Sequence, residues 1–248
     1  MAINTEKNSY TIVFAIVMVV IVGSLLAGLF MLFRPQIEAN ERFEKQQNIL
    51  YAMGINNNQG ANDVVFVPTT EVEGEFQKYI TRQVVIQGDE VAEDDQAFLI
   101  DIKKEATKAS DPQYKRRLPL FQGKVAEKDL YVVPVRGKGL WDAIWGFVAM
   151  DKDMVIQGVY FDHKGETPGL GAEIKQRYFM DDFEGEGFLV DGEFAGITVA
   201  KGNNDPKNND KNDQEIDALA GATITGDGLT AMLKKDIRLY VPYFKTLN

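Results

Sequence analysis

Asp217-Ala218-Leu219-Ala220-Gly221-Ala222-Thr223-Ile224-Thr225 is the stretch on which the reading of the whole chain turns. The small residues Ala220, Gly221 and Ala222 let backbone approach a ligand closely, and Gly221 accepts a positive φ without strain. Two hydroxyls follow, Thr223 and Thr225, on either side of Ile224. Beyond them Leu229, Met232, Leu233 and Ile237 recur at helical spacing, which predicts a closing helix over about 226–240 that begins near Thr225 or Gly226. A hydroxyl at a helix start has two readings. It is an N-cap that satisfies an orphan amide, or it lies where free N–H groups and the positive dipole end favour a phosphate, bound or esterified.

The chain has 248 residues, a net charge of −10, one histidine and no cysteine. Without cysteine there are no disulfides, thiolate nucleophiles or cysteine-held iron–sulfur clusters. A single histidine rules out a multi-histidine metal or haem site. No catalytic set and no metal set is therefore expected within this chain. Residues 1–33 carry only Glu6 and Lys7, which cancel, so the acidic excess belongs to the later domain. Such a domain repels nucleic acid, which is excluded as a partner.

Residues 1–9 form a short polar tail. Tyr10 to Phe33 then run without a charge and span about 36 Å as a helix, enough to cross a bilayer core. A cleaved signal peptide would have a shorter apolar core and more positive charge before it. The reading is a single transmembrane helix over 10–33, in contact with lipid. Pro35 marks its exit, and 34–54 reads as a separate stalk or packing helix ended by Gly54. The basic residues flanking the span point weakly to a cytoplasmic domain. About 210 residues remain beyond it, enough for one sizeable domain, taken as 55–248.

Within that domain Glu71 to Thr81 predicts a short helix, and Val84–Ile86 and Phe98–Ile102 predict strands separated by an acidic solvated turn. The basic knot Lys115-Arg116-Arg117 reads as loop. Leu130–Val135, Ile144–Met150 and Val155–Phe161 predict three strands, with turns at 136–139 and 151–153. Short strands with tight turns argue an antiparallel sheet. Trp141 is either a core aromatic, the better choice on its own, or a lid on a planar ligand. Thr167-Pro168-Gly169-Leu170-Gly171 is a rigid open turn whose amides can face a flat ring, or an ordinary turn before a helix over 172–180. His163 reads as a turn residue. Strands over 188–190 and 196–201 follow, and the polar run 202–213 reads as a mobile surface hairpin or loop. The fold class is α+β: one N-terminal transmembrane helix, then a mostly antiparallel sheet with packed helices.

The motif at 217–225 resembles the flavinylation motif of bacterial FMN-binding domains, Asp-x-x-(Ser/Thr)-Gly-Ala-(Ser/Thr)-x-(Ser/Thr). There a separate flavin transferase joins FMN, through its phosphate, to the last hydroxyl. Asp217, Gly221, Ala222, Thr223 and Thr225 match, and Ala220 departs where Ser or Thr is usual. Together with Gly-Lys-Gly-Leu-Trp at 137–141 and Glu-Thr-Pro-Gly-Leu-Gly at 166–171, behind one span, the chain resembles the C subunit of the sodium-translocating NADH:quinone reductases. The G subunit of the Rnf electron-transport complexes shares the layout.

That resemblance implies an FMN-binding domain carrying FMN as a phosphoester on Thr225. It implies non-covalent contacts from Asp217, Gly221, Ala222, Thr223, Glu166, Thr167, Gly169, Leu170, Gly171, Gly139, Leu140 and Trp141. It also implies an electron relay in a six-subunit reductase of the bacterial inner membrane that passes electrons from NADH to quinone and exports sodium, with the domain on the periplasmic side. The span has no ionisable residue apart from Tyr10, and no Gly-x-Gly-x-x-Gly follows a strand. Ion transfer and NADH oxidation are thus expected in other subunits. The alternatives are an Rnf-like component, or a cofactor-free membrane-anchored assembly module.

Overall fold

The computed structural model describes residues 7–202, 205 and 207–247. Most of the polar tail, and positions 203, 204 and 206 of the polar run, lie outside the described residues. The chain divides into two units, residues 1–42 and 43–248.

In the first unit, helix α1 (Asn8–Ala52) begins, and every side chain from Tyr10 to Phe33 is exposed. By length and composition this helix can cross a membrane. Pro35 does not end it, contrary to the expected exit and separate 34–54 helix. Proline forfeits one backbone bond, but the turns on either side keep theirs. Across it Arg34 Nε donates to Glu38 Oε1 at 2.8 Å, one turn on.

The second unit opens with the final turns of α1, where Gln46 and Asn48–Ala52 are buried and act as packing residues. Gly54, at φ +80°, stops the helix as expected. Helix α2 (Val72–Tyr79) leads into β1 (Ile80–Gln87). The acidic stretch expected as a turn is instead an exposed edge strand, β2 (Glu90–Glu93), paired with β1. The strand expected at 98–102 is absent. Ala97–Leu99 is a 3-10 turn, and α3 (Ile102–Lys108) starts there because the Asp101 side chain caps the Lys104 amide at 3.0 Å.

β3 (Arg117–Val125), β4 (Lys128–Lys138), β5 (Ala143–Met150) and β6 (Ile156–His163) complete a six-stranded sheet, order β2-β1-β3-β4-β5-β6, antiparallel throughout. β3 was not expected, because its basic start and Pro119 read as loop. Its ladder with β4 runs only from Phe121↔Val132 to Val125↔Lys128. Pro119 and Pro134 lie just past that ladder, each bonded to a strand on one side only, where a missing N–H costs little. The two strands part there, and Asp236 enters. Its carboxylate accepts the Arg136 amide at 2.8 Å and the Arg116 guanidinium at 3.1 Å.

Helices cover both faces. On one face a Cβ at Gly158 would strike the Ala52 carbonyl, and the Tyr160 ring packs on Tyr51. On the other, Phe161 packs on Phe183, and a Cβ at Gly137 would meet Met232. The helix expected over 172–180 is broken at extended Gln176 into a 3-10 turn (Gly171–Lys175) and α4 (Arg177–Asp181). A small hairpin, β7 (Leu189–Val190) and β8 (Glu193–Phe194), follows. β9 (Thr198–Ala200) pairs in parallel with β10 (Glu215–Asp217), a strand not expected. The described part of the polar run is pinned: buried Asn208 donates to Glu186 Oε1 at 2.8 Å and to the Asp182 carbonyl at 2.7 Å. α5 (Thr223–Ile237), a 3-10 turn (Arg238–Tyr240) and α6 (Val241–Phe244) close the chain.

Candidate functional site

Three loops meet at one end of the sheet. The β4–β5 turn, residues 139–142, is closed by the Gly139 amide donating to the Asp142 carbonyl at 2.8 Å. The segment after β6 is tied beside it by the Lys164 amide, which donates to the Ala143 carbonyl at 2.9 Å. The start of α5 packs against them, since a Cβ at Gly228 would collide with the Lys138 carbonyl. The three motifs singled out in the sequence are therefore neighbours in space.

α5 begins two residues earlier than expected. Gly221 turns the chain at φ +70°, Ala222 occupies the cap position, and the Gly226 amide donates to the Ala222 carbonyl at 2.9 Å. Thr225 is consequently no N-cap: it lies within the first turn. Ala222 has no side-chain oxygen with which to cap the turn. The amides of Thr223, Ile224 and Thr225 have no carbonyl one turn back, and the helix dipole is positive here. A helix start of this kind is suited to an anion.

Against it lies a cavity of about 220 Å³. The motif contributes Gly221, Ala222, Thr223, Ile224 and Thr225 to its lining, and the other loops contribute Leu140, Glu166, Thr167, Leu170 and Gly171. Of the expected contact residues, Gly139, Trp141 and Gly169 flank this lining. Asp217 does not join it, because it belongs to β10, paired with Ala200. Ile224 is the addition that sequence reasoning missed; an exposed isoleucine at a helix start was the available signal. Trp141 corrects the preference for a core aromatic. It is 66% exposed, with its Nε1 donating to Thr167 Oγ1 at 3.2 Å.

Glu166 is the hub. It is only 4% exposed, yet its carboxylate is well supplied with donors. Oε1 accepts the Trp141 amide at 2.9 Å; Oε2 accepts the Leu140 amide at 3.3 Å and the Thr225 hydroxyl at 2.6 Å. Burial alone would raise its pKa. The Thr225 hydroxyl and the backbone amides of 140–142 outweigh that and hold it below the usual glutamate value, so it is ionised. His163, read as a turn residue, fixes this loop: its Nδ1 accepts the Glu166 amide at 3.1 Å. Glycine is required around the carboxylate. A Cβ at Gly139 would lie 2.6 Å from Glu166 Oε1. One at Gly171 would strike Thr225 Oγ1 as well as Glu166 Oε2.

A larger groove of about 320 Å³ lies elsewhere, lined by Asp94, Asp101, Lys104, Glu105, Lys108 and Arg117. Its charges already pair with one another, Arg117 with Asp94 and Lys108 with Glu105, so it offers no unmet demand for a ligand.

Comparison with known proteins includes the region that holds this cavity. A family model described as "FMN-binding domain" matches residues 139–238, which begin at the β4–β5 turn and end just after α5. The C subunit of the Na(+)-translocating NADH-quinone reductase of Haemophilus ducreyi is 27% identical over 246 residues, covering 93% of this chain and 90% of the relative. Its Pseudomonas aeruginosa counterpart is 28% identical over 250 residues, covering 93% and 91%. The crystal structure of the C subunit from Parabacteroides distasonis superposes with a TM-score of 0.72 at 31% identity, covering 87% of this chain and 98% of that one. NqrC of Shewanella oneidensis gives 0.65 at 26% identity, covering 84% and 99%. With its apolar leading helix, its antiparallel sheet and a match across nearly the full length of the Parabacteroides structure, this chain belongs to the C-subunit family of the Na(+)-translocating NADH-quinone reductases.

Proposed function

We propose that the chain is an electron carrier of a membrane reductase complex, bearing FMN esterified through its phosphate to Thr225. The observation that carries this reading is the position of Thr225, under the cavity and in the first turn of α5, where free amides can meet a phosphate. Among the described residues no lysine or arginine lines the cavity, and the Glu166 carboxylate adds a like charge, so those amides are what answers the anion. Ligand pockets for whole small molecules typically run from about 300 Å³ upward. At about 220 Å³ this one suits the phosphate end, with the ring system outside it. The exposed Leu140, Trp141, Leu170 and Ile224 supply apolar surface at its mouth.

The chain's own residues hold and shield the cofactor, and bound FMN supplies the electron chemistry. A covalent tether fixes occupancy without a deep pocket and leaves the ring accessible to donors and acceptors. In this reading the apolar part of α1 spans the bacterial inner membrane and contacts lipid, and the FMN-binding domain stands on the periplasmic side. Other members of the six-subunit complex oxidise NADH, reduce quinone and export sodium, and a flavin transferase matures this one.

Intact mass tests it. Chain co-expressed with a flavin transferase should carry the mass of FMN less water and fluoresce after denaturation. Thr225→Ala should lose both signals. Thr223 is exposed and lines the same cavity, so Thr223→Ala is the needed partner variant and should keep the bond. A fluorescent denatured Thr225→Ala band would move the attachment elsewhere.

A further inference from the structure

Among the residues lining the cavity, Glu166 is the only one with an ionisable side chain, and its Oε2 holds the hydroxyl of Thr225 at 2.6 Å. We propose that Glu166 aligns Thr225 for flavin attachment and accepts its proton as the bond to phosphorus forms, an inference that rests on Thr225 being the attachment residue.

The direction of the hydrogen bond supports this. Thr225 donates to the carboxylate, which leaves the lone pairs of Oγ1 free for attack and supplies an acceptor for the proton that must depart. The carboxylate cannot swing away freely, since the Leu140 and Trp141 amides grip both its oxygens. Gly171 leaves the space between the two groups open, because any Cβ there would wedge into both. The one imidazole of the chain, His163, uses its Nδ1 to accept the Glu166 amide and so braces the loop that carries the carboxylate.

The step balances as follows. Esterifying FMN itself by loss of water is uphill in water, so the donor carries its flavin phosphate in a phosphoanhydride, as a flavin dinucleotide does. Thr225 Oγ1 forms a bond to the flavin-side phosphorus. The anhydride P–O bond breaks, and its electron pair leaves with the departing nucleoside phosphate. The Oγ1–H bond breaks, and the proton passes to Glu166 Oε2. Nothing is oxidised or reduced. A carboxylate that already holds the hydroxyl at 2.6 Å both orients Oγ1 and stands ready for its proton as the O–P bond forms.

The test uses purified flavin-free full-length chain in detergent, a flavin transferase, and flavin adenine dinucleotide as donor, with loading followed by intact mass. Glu166→Gln keeps an amide oxygen that can hold the Thr225 hydroxyl but removes the charge and the basicity needed to take its proton. It should lower the maximal loading rate by roughly 100-fold or more, with the KM for the chain nearly unchanged, and Glu166→Asp should recover part of the rate. The wild-type rate should fall on acidification as Glu166 protonates, a limb that the residual Glu166→Gln rate lacks. A folded Glu166→Gln chain that loads at the wild-type maximal rate, or that changes only KM, overturns the proposal. Should that variant not fold, Glu166→Asp decides: a fall confined to the maximal rate supports the proposal and a wild-type rate overturns it. Thr225→Ala separates the two readings. Loading of that variant removes the attachment site itself, whereas no loading of Thr225→Ala with normal loading of Glu166→Gln removes only the role of Glu166.

Discussion

The Thr225 hydroxyl and the Glu166 carboxylate, far apart in sequence, form a 2.6 Å hydrogen bond that joins the start of α5 to the loop after β6. That bond has a consequence for stability. Folding favours the ionised carboxylate, since its pKa lies below the ordinary 4.5 despite burial. The stabilisation is complete above the ordinary value and is lost as the pH falls through the lower folded one. The flavin-free chain should therefore lose stability as the pH drops below about 5, and Glu166→Gln should remove part of that slope. Denaturation midpoints of both proteins from neutral to acid pH check this; parallel curves would count against it.

Gly171 is the second constraint on the pair. Alanine there places a methyl group against Thr225 Oγ1 and Glu166 Oε2. Overpacking of this kind costs about 1–3 kcal/mol, which a domain of this size survives. The expected result is a folded Gly171→Ala chain that melts several degrees lower and fails to acquire flavin from the transferase. Normal loading would mean that the gap is not needed.

Asp236 closes the split between β3 and β4, and Arg116 neutralises it in a site where both side chains are largely buried. Removing one member of a buried pair leaves an uncompensated charge, at a cost of about 3–5 kcal/mol. Arg116→Met should lower the urea midpoint substantially. Arg116→Met combined with Asp236→Leu should not restore it fully, because the Arg136 amide then loses its acceptor as well. Urea denaturation of the single and double variants measures both effects.

The same split explains what was legible in the sequence. β4, β5 and β6 are dense in Val, Ile, Phe and Tyr with tight turns between them, and they were readable to within a few residues. β3 was not, because Arg116, Arg117 and Pro119 carry loop signals locally. Only the neighbouring strand and the incoming Asp236 make them strand-compatible. At the site, the backbone features were visible: the glycines, the Thr-Pro-Gly turn and the threonine pair. The Glu166–Thr225 bond was not, since nothing local marks which distant hydroxyl a buried carboxylate will hold. Trp141 was misjudged for a related reason. Residue type favours the core, whereas its turn projects it outward onto Thr167.

Glu186 offers a stability gain. It is fully buried, and among the described residues neither its Oε2 nor the nearby Asn208 Oδ1 has a partner. Burial pushes its pKa up, so folding favours the protonated form. The sign is opposite to that of Glu166: the penalty is absent at low pH and grows as the pH rises from the ordinary value through the raised one. Glu186→Gln removes the charge and adds a donor. It should raise the melting temperature at pH 8 by an amount equivalent to about 1–3 kcal/mol, and have little effect at pH 4. A destabilised variant at pH 8 would show that the carboxylate is needed as such.

Trp141 reports where the ring lies. The chain has two tryptophans, and the other, Trp145, sits on β5 beneath the Arg136 guanidinium at 5.8 Å. Trp141 stands at the mouth of the cavity with most of its surface in solvent, so Trp141→Phe should leave the melting temperature of the flavin-free chain within about 1 °C, as for other exposed positions. If the flavin ring rests on the apolar rim, loading should quench most of the emission from Trp141 and less of that from Trp145. The comparison is direct: wild-type emission should fall strongly on loading, and the Trp141→Phe protein, which retains only Trp145, should lose a smaller fraction. Equal fractional quenching in the two proteins would place the ring away from Trp141, and the lid role would then have to pass to Leu140, Leu170 or Ile224.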